Sequence, residues 1–267
     1  MTALEELRKT ISKSLAATSS KADASQPHAA LTKVTMLPLL VKALSLALYD
    51  HPLFLSTLEL PKPSPNASSP GEMAAQQAAG AKLVRRASHD VSIALSSSQG
   101  LLTPLLRSVE TRSIFDIAAQ ISDLQARAAS ASSSTSVNAK GGSSNGLTPK
   151  DFGNGGTITL SNIGAVGGAT YTHPLIPPTG QLAIGALGRT RAVPRFASEC
   201  PADGLGELSS ADGKAQSADA DRIVRRLIMP VSFTGDHRVV EGAEMARLVQ
   251  RWKTLIEQPS LWLTLLK

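Results

Sequence analysis

The chain has 267 residues with a hydrophobic content of 42%, enough apolar side chain for a buried core, so a folded α/β domain and not a linker is expected. The formal charge of +6 comes from scattered Lys and Arg, and aromatics are only 3% of residues, too few to stack along a nucleic-acid strand. No apolar run reaches the roughly 18 residues of a membrane helix, and a single Cys200 excludes a disulfide framework or a cysteine zinc site within one chain.

In chain order, Leu4, Leu7, Ile11 and Leu15 recur at helical spacing and predict an amphipathic helix over residues 3–16. The acidic Glu5 and Glu6 beside Arg8 and Lys9 are unlike a targeting segment. Residues 17–31 have no period. A second helix is expected from a Thr35 cap, with Pro38 in its first turn, to Tyr49 ahead of His51-Pro52. Strands follow at Leu55 to Leu60, Lys82 to Leu95 and Gly100 to Arg107, with residues 61–80 between the first two read as an insertion without an element of its own. Ser113 caps a helix whose face is Ile114, Ile117, Ala118, Ile121 and Leu124. Residues 128–146 and 197–219 are low-complexity tracts, expected to be mobile because they have too little apolar surface to offset the entropy of ordering them. The strands Thr157 to Ser161, Gln181 to Leu187 and Ile223 to Phe233 are expected to join the earlier ones in one mixed sheet, closed by a helix from Glu241 to Ile256. No repeat and no domain boundary is legible, so residues 1–267 are read as a single domain.

Two segments carry chemistry. In Gly235-Asp236-His237-Arg238-Val239-Val240-Glu241-Gly242 an alternating apolar strand runs into a helix through a histidine flanked by charges. In Gly155-Gly156-Thr157-Ile158-Thr159-Leu160-Ser161-Asn162-Ile163-Gly164 a strand ends on a serine and breaks into a glycine-containing turn. An imidazole with an ordinary pKa near 6.5 can take a proton at neutral pH, and a fixed hydroxyl can stabilise an oxyanion. Together they point to acyl transfer. No G-x-S-x-G surrounds Ser161, which disfavours a serine-nucleophile hydrolase. The Gly141-Gly142 and Gly153 to Gly156 clusters lack the spacing of a phosphate or dinucleotide loop. His237 and Glu241 lack a third metal ligand nearby, so no metal site is expected. His28, His51, His89 and His173 have no motif around them and are read as surface, turn or core residues.

These segments resemble the catalytic domain of the dihydrolipoamide acyltransferases, the E2 components of 2-oxoacid dehydrogenase complexes, whose signature is D-H-R-x-x-D-G. Further likeness lies in Ser88-His89-Asp90-Val91-Ser92-Ile93-Ala94, Ser113-Ile114-Phe115-Asp116-Ile117-Ala118 and Ile176-Pro177-Pro178, and in Ile184 to Phe196, which is most like the branched-chain type. The resemblance implies a chloramphenicol-acetyltransferase-like fold, a mixed sheet with helices on one face, its loops here enlarged by low-complexity insertions. It implies acyl transfer between dihydrolipoyl-lysine and coenzyme A, with His237 as base and Ser161 as hydroxyl donor coming from neighbouring subunits. Glu241, standing where the family has Asp, is assigned with them to the catalytic set. Asp236, Arg238, Asn162 and Gly164 support the site. It further implies a homotrimer within a larger core, a partner lipoyl domain, E1 and E3 components engaged through other domains, and a mitochondrial matrix location. Against the family, the chain is expected to be incomplete at its amino end, and Leu55 replaces a common Asn. Trp252, Trp262, Leu263 and Leu266 are candidates for subunit contact. The rival readings are an inactive structural or binding core and a small-molecule O-acetyltransferase.

Overall fold

Every residue of the helix α2 (Met36–Asp50) from Leu37 to Leu48 is buried, because its apolar side chains surround the whole circumference and other elements pack on several sides. The computed structural model describes residues 1–19, 33–62, 69–97, 100–130, 146–165, 172–197 and 222–265. Within these, α1 (Thr2–Ser19) lays Leu4 into the core, with Leu7 and Ile11 packed against it. The Thr35 side chain does not cap α2. In α4 (Ile114–Ser130), Ile117, Ala118, Ile121, Leu124 and Ala128 are buried, along the stripe its spacing predicts. Ser113 caps it: its hydroxyl accepts from the Asp116 N–H at 3.1 Å, and the Asp116 carboxylate accepts from the Ser113 N–H at 3.0 Å.

The expected single sheet is three. The central mixed sheet has the order β10 (Val231–Gly235), β7 (Ala183–Leu187), β6 (Ile158–Asn162), β3 (Val91–Ser97), β4 (Gly100–Leu102), with β5 (Leu105–Leu106) also on β3. β3, β6 and β7 are parallel, and the remaining pairings are antiparallel. A ribbon of β1 (Ser56–Glu59) and β2 (Lys82–Arg85) and another of β8 (Arg191–Phe196) and β9 (Ile223–Ile228) stand apart.

Three of the expected strands are therefore divided. Lys82 to Leu95 breaks at 86–90, where consecutive His89 and Asp90 are both buried and the Asp90 carboxylate accepts from the Ser108 N–H at 2.9 Å. Gly100 to Arg107 breaks at Pro104, and Ile223 to Phe233 at Pro230, because proline has no N–H for the ladder. Residues 61–80, read as lacking an element, contain the exposed helix α3 (Pro70–Ala79), capped by Ser69 and preceding Gly80. α4 continues to Ser130 and α1 to Ser19, into tracts read as irregular, and a short helix, α5 (Pro149–Phe152), precedes β6. The other expectations for 20–32, 131–145 and 198–221 lie outside the described residues.

The helices α2, α4 and α6 (Gly242–Glu257) cover one sheet face, where alternation places Ile93, Leu160 and Phe233. Trp252 of α6 is 1% exposed and donates its indole N–H to the Leu40 carbonyl at 3.1 Å. Trp262, 3% exposed, donates to the Leu255 carbonyl at 2.9 Å. Both tryptophans thus belong to this chain's own core and not to a subunit contact. Leu263 is 80% exposed, and Leu266 lies outside the described residues.

Candidate active site

His237 stands at the second position of a tight turn that ends β10. The Asp236 carbonyl accepts from the N–H groups of Val239 at 3.0 Å and Val240 at 2.8 Å, and the Asp236 N–H donates to Leu182 on the neighbouring segment at 2.9 Å. The Asp236 carboxylate accepts from the Arg238 backbone N–H at 3.1 Å and from the guanidinium at 2.9 and 2.5 Å. Those hydrogen bonds from Arg238 hold the Asp236 carboxyl below its ordinary range, outweighing its partial burial. Asp236 and Arg238 therefore clamp the turn from both sides of the histidine, whose ring is left exposed.

The strand leading to this turn is fitted closely to the core. A Cβ at Gly185 would lie 2.6 Å from the Phe233 ring, so glycine there lets the ring lie flat over β7. Phe233 then meets Trp252 edge-on at 5.5 Å between centroids. Beside the turn is a cavity of about 420 Å³ lined by Phe233, Val240, Met245 and Val249 together with His237 and Glu241. The apolar wall was not singled out from the sequence, where Phe233, Met245 and Val249 have the spacing of ordinary core residues. Glu241 occupies the N-cap position of α6, but its side chain does not cap the helix and makes no hydrogen bond to another described residue.

Ser161 lies near the end of β6, level with Ala94 on one side and Ala186 on the other, so small neighbours leave its hydroxyl room. Alternation puts it on the face away from the helices, with Thr159 and Ser92. Next comes a tight turn. Ile163 and Gly164 both donate their N–H to the Leu187 carbonyl at 3.0 Å, and the Asn162 side chain accepts from the Gly164 N–H at 3.2 Å. A Cβ at Gly164 would stand 2.8 Å from the Gly188 carbonyl oxygen, so this approach of two backbones requires glycine.

One chain does not bring His237 and Ser161 together. Gly235 pairs with Ala183, which pairs with Ile158, whereas Ser161 is level with Ser232 at the other end of β10. At about 3.3 Å per residue and about 4.8 Å between strands, the two side chains are rooted on the order of 15 Å or more apart. Among the described residues, no group of three or more His, Cys, Asp or Glu side chains comes together as a metal centre.

The family model described as 2-oxoacid dehydrogenases acyltransferase (catalytic domain) matches residues 1–264. The chain belongs to that family. It is 34% identical over 235 residues to the mitochondrial lipoamide acyltransferase component of the branched-chain alpha-keto acid dehydrogenase complex of Bos taurus, a match covering 88% of this chain and 37% of the relative. The chain therefore spans little more than a third of the length of that relative. The cubic core of a pyruvate dehydrogenase multienzyme complex superposes with a TM-score of 0.64 at 25% identity, covering 96% of this chain and 78% of the other. A mixed sheet carrying helices is thus the fold of the family as well as of this chain. A chloramphenicol acetyltransferase superposes with a TM-score of only 0.41 at 12% identity, covering 83% of this chain and 78% of the other, too distant to argue from.

Proposed function

We propose that this chain is the acyl-transferring core of a 2-oxoacid dehydrogenase complex of the branched-chain type, moving an acyl group between dihydrolipoyl-lysine and coenzyme A. The observation that carries the reading is the Asp236-His237-Arg238 turn, in which the two charged neighbours bond each other and present an exposed histidine beside an apolar cavity, in a chain of this family. A thiol with a pKa of about 8.5 is mostly protonated at neutral pH, so a base is needed. The His237 imidazole takes the proton of the coenzyme A thiol. The thiolate attacks the thioester carbonyl, and the negative charge that develops on oxygen is held by the Ser161 hydroxyl, a donor of this kind contributing on the order of 3 kcal/mol. Collapse breaks the bond to the dihydrolipoyl sulfur, which takes back the proton from His237. Because β6 and the β10 turn hold the two groups apart in one chain, the site forms between neighbouring subunits of a homotrimer.

The lipoyl group arrives on a separate domain, E1 and E3 engage other parts of the assembly, and the protein works in the mitochondrial matrix, a reading supported by the bovine relative being named as mitochondrial. The test is thioester exchange between dihydrolipoamide and acetyl-, succinyl- or isobutyryl-coenzyme A. Preference for the branched acyl group supports the proposal. No turnover with any donor in protein shown to be trimeric replaces it with the structural reading, a core that keeps the fold without the chemistry.

A further inference from the structure

One buried titratable side chain has no part in that chemistry. His89, 3% exposed, lies between β2 and β3, and its ring reaches a second cavity of about 400 Å³ shared with Tyr49, Leu55, Arg85, Arg86 and Ala87. The Ser45 hydroxyl is 2.8 Å from His89 Nδ1, its one hydrogen-bond partner among the described residues, and Ser45 is fully buried. A buried hydroxyl with a single partner keeps its hydrogen bonded only by donating it. With the Ser45 hydroxyl donating, Nδ1 is assigned as the acceptor and the ring hydrogen to Nε2, which has no partner among the described residues. Burial lowers the pKa of His89, so the ring offers a neutral N–H at physiological pH.

The other walls supply charge of one sign. The Arg86 guanidinium is fixed by the carbonyls of Gly155 at 2.9 Å and Asn154 at 3.1 Å. Arg85 is exposed on β2, level with Ser56. The Tyr49 ring packs on the imidazole at 4.7 Å between centroids. Glu110, the carboxylate nearest His89, is occupied behind the ring by the His89 backbone N–H at 2.9 Å and does not line the cavity. Among the described residues, Arg85, Arg86 and His89 line the cavity and no carboxylate does. Cationic residues lining one cavity suit an oxyanion, and guanidinium favours phosphate in particular.

We propose that the cavity floored by His89 is a binding site for a phosphate group, with Arg85 and Arg86 supplying charge and the His89 N–H fixing orientation. Two sources carry such a group: free phosphate and the adenosine bisphosphate end of coenzyme A. The test is calorimetric titration of the assembled protein with inorganic phosphate and with adenosine bisphosphate at constant ionic strength. Wild type is compared with Arg85→Ala and with Arg191→Ala, which removes the same charge from β8, outside the cavity. Saturable binding that weakens about tenfold or more in Arg85→Ala and holds in Arg191→Ala is expected for charge-assisted contacts. If coenzyme A affinity falls in parallel, the phosphate is that of the substrate; if it does not, the ligand is free phosphate. Absence of saturable binding of either probe, or equal loss in both variants, overturns the proposal. The coenzyme A outcome rests on the proposed function, and it is told apart from failure of that function by exchange at saturating coenzyme A, which depends on His237 and Ser161 and not on Arg85.

Discussion

If the imidazole of one subunit works with the hydroxyl of the next, two inactive variants must rescue each other. His237→Ala removes the base, worth roughly a hundredfold to ten-thousandfold in rate, and Ser161→Ala removes an oxyanion donor, worth roughly a hundredfold to a thousandfold. The sheet register roots the two side chains on the order of 15 Å or more apart in one chain, far beyond the reach of a shared substrate carbonyl. In a closed ring assembled at random from equal amounts of the two variants, an intact His237 faces an intact Ser161 at about one site in four. Co-expressed or co-refolded mixtures should therefore recover roughly a quarter of wild-type thioester exchange, against about 1% or less for either parent. Activity of the mixture no higher than the mean of the parents would show that the two groups do not meet across an interface, and the proposed mechanism fails with it.

The remaining predictions concern the stability of the fold and the supports of the site. Asp151, held by Arg127 at 2.8 and 2.9 Å, titrates at about 2 when folded against 3.8 as a free side chain. Such a depressed carboxyl stabilises the fold fully above pH 3.8, and its contribution disappears as pH falls through 2. Asp151→Asn should cost roughly 1 to 2 kcal/mol in urea denaturation at pH 7, after allowance for solvent around Arg127; an equal cost measured at pH 2 would contradict the ionic origin. Asp236→Asn should lower kcat roughly tenfold or more across neutral pH while barely moving Tm, because an ion pair this exposed contributes about 0 to 1 kcal/mol. A large Tm loss without a kcat effect would assign the pair to stability alone. Gly164→Ala forces a backbone shift against the Gly188 carbonyl, 2.8 Å from the new Cβ, and should destabilise by about 1 to 3 kcal/mol with a loss of exchange activity. Glu241 is bonded neither to the α6 cap nor to His237, so Glu241→Asp should change exchange by less than about tenfold; a hundredfold gain would mean that the present carboxylate impairs the base.

Much of the local structure was legible because periodicity is a local property. The stripe Ile117, Ala118, Ile121, Leu124 and the Ser113 cap can be read from their spacing, and the structure places them as read. The segments around His237 and Ser161 likewise announce a strand that ends on a polar side chain. What spacing does not encode is which strands stop and which ends of the sheet coincide. Pro104 and Pro230 break runs whose composition reads as single strands, and Pro70–Ala79 forms a helix in a stretch whose composition reads as loop. Trp252 and Trp262, candidates for subunit contact by their place near the carboxyl end, instead donate their indole N–H groups to carbonyls of α2 and α6. The motif around His237 and the family resemblance at Ser161 nominated a base and an oxyanion donor, roles that the pKa of imidazole and the hydrogen-bonding capacity of a hydroxyl make chemically apt. That the two lie toward opposite ends of the sheet within one chain follows from pairing between distant segments, and only the folded chain sets that register.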